Sequence, residues 1–330
     1  MTYNPKNNPL ISVIAPIYNE ENNVSVLAHK LGEVFKKLQI DWELVFAMDP
    51  CTDLTEEKIL ALIEANFPVR MVKFSRRFGK PISLLAGLRH CLGDAVIVID
   101  SDLQDPPELI YTMIDKWREG NMVVIAQRTS RRGENFFYLK CAEIFYWILE
   151  KFSEVEIPRN TGDYRLLDKR VVEEICLVKE RHGFLRGLTA LVGFKTIVIP
   201  FERNARFAGK TQIPLMGAIS IALDGVVPFS RVPIRVIIGL GLGIFSTGVL
   251  SSILWTLYGL AKGFGNNWPL LALSLFVWVF FGITISCIGI VGEYVLRCYE
   301  ESRDRPLYTV DKILESKELC RKLKETQNNA

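Results

Sequence analysis

Residues 95–108 read AVIVIDSDLQDPPE, an apolar run that ends at two aspartates, Asp100 and Asp102. The first five residues are apolar and mostly β-branched, a composition that favours a buried strand. Asp102 lies two residues beyond Asp100, so both carboxylates can point toward one site from a turn. Oxygen ligands of this kind suit Mg²⁺ or Mn²⁺, which are typically shared with substrate phosphates. A solvated acidic turn before a helix that starts at Pro106 is the plainer alternative.

Four similar apolar runs surround this one, and helix-like stretches separate them. The five runs are Leu10–Ala15, Glu43–Ala47, Val69–Phe74, Ala95–Ile99 and Met122–Ala126. The helix-like stretches are residues 20–38, 54–65, 80–92 and 106–119. Alternation of this kind predicts an α/β fold built from βαβ units, with a parallel sheet and helices on both faces. Ligands of such sheets bind beyond the carboxyl ends of the strands, and this chain is polar after every run.

Two long runs near the C-terminus contain no charged residue, Val236–Ala261 and Gly263–Gly292. About 20 apolar residues suffice to span a bilayer, so each run is long enough to cross with some tilt. A short polar turn beginning at Lys262 separates them. The pattern predicts a hairpin of two transmembrane helices.

The basic residues that flank this hairpin predict its orientation. Those outside the polar turn are Arg231, Arg235, Arg297, Arg303 and Arg305. By the positive-inside rule, both termini and the N-terminal α/β part face the cytoplasm, with two spans in the plasma (inner) membrane. Small residues four apart, Gly239 with Gly243 and Gly282 with Ser286, favour close helix packing within the hairpin or in a homo-oligomer.

The composition excludes several other classes of protein. The net charge is +3, from 40 basic and 37 acidic residues, which argues against a general nucleic-acid partner. Seven scattered cysteines without a CxxC pair argue against a disulfide framework or a zinc site. The polar N-terminus lacks the apolar core of a secretory signal.

A set of motifs carries a specific resemblance. Its members are Pro16, Asn19 and Glu20, Asp49 and Asp53, Phe78-Gly79-Lys80, residues 100–108 and residues 162–168 (GDYRLLD). Together they resemble the inverting GT-A glycosyltransferases of family 2 that use polyprenyl phosphate as acceptor, the group of the bactoprenol glucosyltransferases and dolichol-phosphate mannose synthase. The resemblance implies a Rossmann-like GT-A sheet over residues 1–210. One departure is Met48-Asp49-Pro50-Cys51, where such enzymes usually carry Asp-Asp-Gly-Ser.

The resemblance also implies a role for each matching residue. Donor-nucleotide binding falls to Pro16, Tyr18, Glu20, Asp49, Lys80, Asp100, Ser101 and Gln104. Asp100 and Asp102 would hold Mg²⁺ or Mn²⁺ beside the diphosphate. Asp102 and Asp163 would be the catalytic carboxylates, with Asp163 on the acceptor side as a positioning group or modest base. The alternative for Asp163 is a loop carboxylate paired with Arg165.

An anionic lipid acceptor requires cations, and arginine forks match phosphate oxygens. The cations that follow the fifth strand or precede the apolar runs are Arg128, Arg203, Arg206 and Lys210. General attraction to the anionic leaflet is the alternative for each. Residues 135–152, rich in aromatics, predict an amphipathic helix in the membrane interface or an ordinary helix on the sheet.

These observations predict four regions and one reaction. The regions are a catalytic domain at 1–210, a juxtamembrane amphipathic segment at 211–232, the two spans at 233–297 and a charged cytoplasmic tail at 298–330. The expected reaction moves one sugar, with glucose favoured, from a UDP-sugar to undecaprenyl phosphate with inversion. Alternatives are a dolichol-phosphate-mannose type of transferase, a processive polysaccharide synthase, or a nucleotide-binding membrane subunit without catalysis. The chain has no Gln-x-x-Arg-Trp motif, which argues against the synthase.

Overall fold

A computed structural model of the protein describes residues 9–129, 158, 161–178, 185–202, 250, 268–302, 306–317 and 319–320. Internal contacts divide the chain into two compact units. The first consists of Met1–Gly225 with Pro306–Ala330, and the second is Val226–Arg305.

The first unit alternates strands and helices along the chain. Its strands are β1 (Ile11–Ile17), β2 (Trp42–Met48), β3 (Val69–Phe74), β4 (Ala95–Val98), β5 (Val123–Arg128), β6 (Thr161–Asp168), β7 (Thr196–Phe201) and β8 (Val310–Glu315). Its helices are α1 (Val24–Leu38), α2 (Thr55–Glu64), α3 (Lys80–His90), α4 (Leu109–Arg118), α5 (Lys169–Leu177) and α6 (Leu185–Leu191).

The described strands form one sheet in the order β7-β5-β6-β4-β1-β2-β3-β8. Six of them run in the same direction, whereas β6 and β8 are antiparallel to their neighbours. The predicted α/β fold with a mostly parallel sheet is therefore confirmed. The chain places β2 and β3 on one side of β1 and then crosses to β4 on the other side. That reversal is a topological switch point, where open α/β sheets bind ligands.

Helices cover both faces of the sheet, as predicted. In β4, Ala95 and Ile97 face a core formed with α1, α2 and α4, whereas Val96 and Val98 face a core formed with α3, α5 and α6. Alternate residues of one strand point to opposite faces of the sheet, and the residues on both faces of β4 are buried. This explains why β4 is continuously apolar up to Asp100.

Three strands were not predicted, β6, β7 and β8. β6 and β8 are antiparallel and pair with strands far away in the sequence, so no neighbouring βαβ pattern marks them, whereas β7 pairs in parallel with β5. Strand β8 lies within residues 298–330, which the sequence indicated only as a charged tail. That region therefore contributes a strand to the sheet, and Ser316 and Leu319 just after it are buried.

The second unit contains one long described helix, α7 (Trp268–Ser302). It includes most of the second charge-free run and continues ten residues past Gly292. Several of its large apolar side chains are exposed, among them Phe281, Ile288 and Val295. Within the described ranges, a search for a helix of sufficient length and apolar character to cross a bilayer finds none. The first run, the juxtamembrane segment 211–232 and residues 135–152 lie outside the described residues, apart from Leu250.

A buried ion pair joins β2 to β3 at the amino-terminal edge of the sheet. The Glu43 side chain is fully buried, and its Oε1 accepts hydrogen bonds from Ser12 Oγ at 2.5 Å and Leu92 N at 2.7 Å. Arg70 Nη2 lies 3.6 Å from Glu43 Oε2, and Arg70 Nε lies 3.2 Å from Glu315. Burial raises the pKa of Glu43, against the opposing charge of Arg70.

Replacing Arg70 by methionine is expected to destabilise the fold by about 3 to 5 kcal/mol, because it leaves a buried carboxylate without its cation. Urea unfolding of the purified protein measures this loss. The double variant Glu43→Gln with Arg70→Met should regain part of it, since no buried charge then remains unpaired. A double variant as unstable as Arg70→Met would show that the uncompensated charge is not the cause.

Candidate active site

The loops after β1 and β2 are joined by hydrogen bonds at the switch point. Asn19 Nδ2 donates to Thr52 Oγ1 at 3.1 Å, and Thr52 N donates to Asn19 Oδ1 at 2.9 Å. Glu20 N donates to Thr55 Oγ1 at 2.9 Å. Asn19 adopts a left-handed backbone (φ 54°), which asparagine tolerates better than most residues. The two loops therefore form one wall of polar groups, which includes Glu20.

Asp49, at the end of β2, holds the loop that carries Lys80. Its Oδ1 accepts a hydrogen bond from Phe78 N at 2.9 Å, and its Oδ2 accepts one from Gly79 N at 3.0 Å. Gly79 has φ 86°, a conformation that strains residues with a side chain. Helix α3 begins immediately afterwards, with Lys80 as its first residue. Asp49 was predicted to bind the donor nucleotide, and the contacts of its buried carboxylate give it a supporting role in the loop as well.

The centre of the site is an ion cluster of four side chains. Lys80 Nζ lies 2.6 Å from Asp100 Oδ1 and 2.9 Å from Asp163 Oδ2. Arg186 Nε donates to Asp163 Oδ1 at 3.1 Å. The register of the antiparallel pair explains the convergence, since Val98 pairs with Arg165 and continuing this register places Asp100 opposite Asp163.

The cluster shifts the protonation equilibria of its members. Burial alone would raise the pKa of Asp163, but the charges of Lys80, Arg186 and Arg165 hold it far below its ordinary value. Burial would lower the pKa of Lys80, but Asp100 and Asp163 raise it above its ordinary value. Both groups are therefore charged throughout the physiological pH range.

The turn after β4 positions the second predicted carboxylate. Asp102 is nearly buried, and its Oδ1 accepts a hydrogen bond from Gln104 N at 3.2 Å. Leu103 between them has φ 58°, an uncommon backbone for a branched residue and one of the kind found at functional turns. Ser101 Oγ lies 3.5 Å from the carbonyl oxygen of Pro16, which ties this turn to the end of β1.

The donor set of this turn fits a divalent cation that is shared with a ligand. Among the residues that the structure describes, no group of three or more His, Cys, Asp or Glu side chains is arranged to hold a metal ion. The turn supplies two carboxylates, those of Asp100 and Asp102. Mg²⁺ is commonly bound by one or two carboxylates together with phosphate oxygens and water, so two are enough for an ion that is shared with a ligand. The ammonium group of Lys80 lies 2.6 Å from Asp100 Oδ1, so one oxygen of this pair is shared with a cation of the protein itself.

Arginine side chains surround the start of β6. The Arg128 guanidinium packs against Gly162, and a Cβ added to Gly162 would lie 2.9 Å from Arg128 Nη2 and would displace the end of that side chain. Arg165 is buried, and its Nη2 donates to Gly162 O at 2.7 Å and its Nη1 to Thr189 Oγ1 at 3.0 Å. Asp163 thus lies on a strand and pairs directly with Lys80 and Arg186. Asp163 therefore does not lie in a loop, and the charge of Arg165 acts on it together with these two direct contacts.

The structure places the described predicted residues at one edge of the sheet. Contacts connect Lys80 with Asp100 and Asp163, and Ser101 with Pro16. The predicted acceptor cations Arg203, Arg206 and Lys210 lie outside the described residues. Strand β7 ends at Phe201, whose carbonyl oxygen accepts from Thr129 N at 3.0 Å, so the chain enters 203–210 from this same edge.

Two cationic residues of the site were missed by the sequence analysis. Arg186 lies on α6, 23 residues beyond its partner Asp163, and no local spacing links the two. The guanidinium of Arg77 lies 3.8 Å from the ring centroid of Tyr18, a cation–π contact across the loops after β1 and β3. The polar loop 75–80 after β3 was the one available signal for Arg77.

Replacing Lys80 by methionine is expected to lower activity by about 100-fold, because the variant removes a preorganised charge from the site. Asp163 then loses its nearest cation, and its pKa rises toward the ordinary range. In the wild type the pKa of Asp163 is depressed, so Asp163 becomes protonated only at very low pH. As the pH is lowered, Lys80→Met should therefore lose its remaining activity at a higher pH than the wild type does. A pH–rate profile measures the shift. Lys30→Met on the exposed face of α1 is the control, and a profile unchanged in Lys80→Met would contradict the coupling.

Comparison with known proteins identifies the family. The model of the family described as glycosyl transferase family 2 matches residues 12–176. A bactoprenol glucosyl transferase of Shigella phage SfV is 38% identical, covering 91% of this chain and 97% of the phage protein. A prophage bactoprenol glucosyl transferase homolog of Escherichia coli (strain K12) is 36% identical, covering 92% and 99%. An uncharacterized glycosyltransferase, YkcC of Bacillus subtilis (strain 168), is 38% identical, covering 94% and 96%. The family match, the full-length relatives and the polar edge at the switch point agree, and the chain belongs to glycosyl transferase family 2.

Proposed function

We propose that this protein transfers one sugar, with glucose favoured, from a UDP-sugar to a polyprenyl phosphate such as undecaprenyl phosphate, with inversion at the anomeric carbon. The observation that carries the proposal is the ion cluster of Lys80, Asp100 and Asp163 at the switch point. It brings a predicted donor-side carboxylate and a predicted acceptor-side carboxylate within reach of one ammonium group. The names of the relatives from Shigella phage SfV and Escherichia coli support the glucose and the lipid acceptor.

The chemistry of the reaction matches these groups. A phosphate oxygen of the acceptor attacks the anomeric carbon, the bond from that carbon to the diphosphate breaks, and the electron pair leaves with the nucleoside diphosphate. Attack on the face opposite the leaving group inverts the configuration. The second pKa of a phosphate monoester is about 6, so the acceptor is mostly ionised at neutral pH and needs no strong base.

Asp163 therefore acts by position and charge. The three cations around it keep its carboxylate ionised, so it is poorly suited to take up a proton. Its two oxygens are oriented by Lys80 and Arg186. We infer that Asp163 orders the cations that face the acceptor phosphate and the departing diphosphate.

The acceptor phosphate would meet the cationic side of the site. Arg128 lies against Gly162, next to Asp163, and the basic residues Arg203, Arg206 and Lys210 follow β7 in the sequence. Guanidinium groups bind phosphate oxygens in a bidentate manner. This arrangement supports the predicted acceptor role of Arg128.

A divalent cation, Mg²⁺ or Mn²⁺, would be held by Asp100 and Asp102 together with the diphosphate. When bound, such an ion neutralises charge on the leaving group. Pro16 near the end of β1, Tyr18 and Glu20 in the loop after it, and Ser101 and Gln104 in the turn after β4 would contact the nucleotide and the sugar.

We propose that the two charge-free runs anchor the enzyme in the plasma membrane as a two-span hairpin, with the catalytic domain and both termini in the cytoplasm. The length of both runs and the arginines that flank them support this topology. A membrane anchor keeps the site near a long-tailed lipid acceptor. Close packing of the small residues in the runs would also allow a homo-oligomer.

A lipid-extraction assay tests the proposed reaction. The purified full-length protein is incubated with undecaprenyl phosphate, Mg²⁺ or Mn²⁺, and a panel of labelled nucleotide sugars. Label from UDP-glucose should enter the organic phase, and EDTA should abolish the transfer. A β-linked product from the α-linked donor would establish inversion. Nucleotide binding without transfer from any donor would instead favour a non-catalytic membrane subunit.

A further inference from the structure

The C-terminal part of the first unit returns to the catalytic sheet. Residues 307–316, here called the C-terminal strap, contain β8, which pairs with β3 in antiparallel register from Arg70↔Glu315 to Phe74↔Val310. Ser75 N donates to Thr309 O at 3.0 Å, and Ser316 N donates to Val69 O at 3.1 Å. The strap is therefore hydrogen-bonded along the whole length of β3 and one residue beyond its carboxyl end.

The strap contacts the loop that carries Lys80. The Tyr308 ring packs edge-to-face on Phe74, with centroids 5.7 Å apart, and lies 6.1 Å from the His90 ring. Phe74 in turn packs edge-to-face on Phe78 at 6.0 Å. Because Phe78 precedes Lys80 by two residues, a row of three aromatic rings leads from the strap to the base of the active-site lysine.

The same loop is held from its other side by Asp49, through the amides of Phe78 and Gly79. The loop thus lies between a carboxylate on β2 and an aromatic row that ends in the strap. Lys80 contacts Asp100 at 2.6 Å and Asp163 at 2.9 Å, and a displacement of about 1 Å would break such contacts and lower activity.

We propose that the C-terminal strap is a positioning element of the transfer site, and that Tyr308 is its contact residue. The strap holds the loop of residues 75–79 and thereby sets the position of the Lys80 ammonium between Asp100 and Asp163. The inference rests on the proposed function, since it assigns a part of the chain that follows the apolar runs to the machinery of sugar transfer. The competing explanation is that the strap only covers the edge of β3, as protected edge strands do.

Variants at Tyr308 in the full-length protein separate these explanations. Tyr308→Ala removes the ring, Tyr308→Phe keeps it, and Lys312→Ala changes an exposed side chain elsewhere in the strap. Hydrogen exchange of the peptide that covers residues 75–84 is measured together with kcat, KM for the donor and the thermal midpoint. Tyr308→Ala should accelerate exchange in this peptide by about 10-fold. Its kcat/KM for the donor should fall by about 10-fold, whereas the conservative variant and Lys312→Ala should stay close to the wild type.

The proposal is overturned if Tyr308→Ala lowers the thermal midpoint but leaves the exchange of residues 75–84 and both kinetic constants unchanged. It is also overturned if Lys312→Ala has the same effects as Tyr308→Ala. Should Tyr308→Ala not fold, Tyr308→Leu keeps the apolar volume without the edge-to-face contact and is held to the same criteria. If the wild-type protein transfers no sugar, the proposed function fails, while the exchange of residues 75–84 still decides whether the strap orders the loop.

Discussion

Replacing Asp163 by asparagine is expected to lower the turnover number by about 100- to 1000-fold, the loss typical of removing a preorganised electrostatic group. The substitution keeps the size of the side chain but removes the charge that Lys80 and Arg186 share. The two cations then repel each other and lose their common anchor. Binding of the donor nucleotide should change much less than turnover, because Asp163 is proposed to act on the acceptor side, where it contacts Lys80 and Arg186.

Turnover in the lipid-extraction assay and UDP affinity by calorimetry measure these two effects separately. Asp115→Asn on the exposed face of α4 makes the same chemical change outside the site and is the matched control. Equal losses of turnover and nucleotide affinity in Asp163→Asn would move this residue into the donor pocket. Rescue by Asp163→Glu would support the role of charge, since glutamate restores it at a slightly different position.

Replacing Asp100 or Asp102 by asparagine is expected to lower the rate of sugar transfer by about 1000-fold or more. Each change removes one of the two carboxylates that would share a divalent cation with the diphosphate. Asp102 is nearly buried, and its Oδ1 accepts a hydrogen bond from Gln104 N. An asparagine oxygen at this position can accept the same bond. The fold should therefore survive, and the thermal midpoint checks that it does.

The two variants should differ in one respect. Asp100 contacts Lys80 and raises its pKa, so Asp100→Asn should move the alkaline side of the pH–rate profile to lower pH, whereas Asp102→Asn should not. Binding of Mn²⁺ in the presence of UDP, followed by electron paramagnetic resonance, provides a readout that does not depend on turnover. Normal Mn²⁺ binding and near-normal turnover in both variants would refute the metal site.

The local pattern of the chain predicted the first five strands, β1 to β5. β1 to β5 are short apolar runs with β-branched residues, and burial on both faces of the sheet makes such runs continuous. β3 has the predicted bounds, and the ends of the other four differ from them by two residues at most, as at β4, which ends at Val98 and not at Ile99. The predicted edge of polar loops followed directly, because carboxyl ends of parallel strands lie on one side.

The antiparallel strands could not be predicted from local pattern. β6 pairs with β4 and β5, and β8 pairs with β3 from more than 200 residues away in the sequence. The periodicity of a segment does not indicate which distant strand it will pair with, because that pairing depends on which edges of the sheet remain open. The sequence pattern therefore predicted only a charged tail where the C-terminal strap lies.

The sequence by itself determined the alternation of strands and helices, the polar edge and the carboxylate pair Asp100 and Asp102, because these depend on residues close together along the chain. Only the tertiary structure decided that Asp163 lies opposite Asp100, that Lys80 bridges the two, and that Arg186 completes the cluster. Those contacts depend on the register of an antiparallel strand and on the packing of a distant helix. Short-range patterns specify the elements, whereas the pairing of elements across the sheet assembles the site.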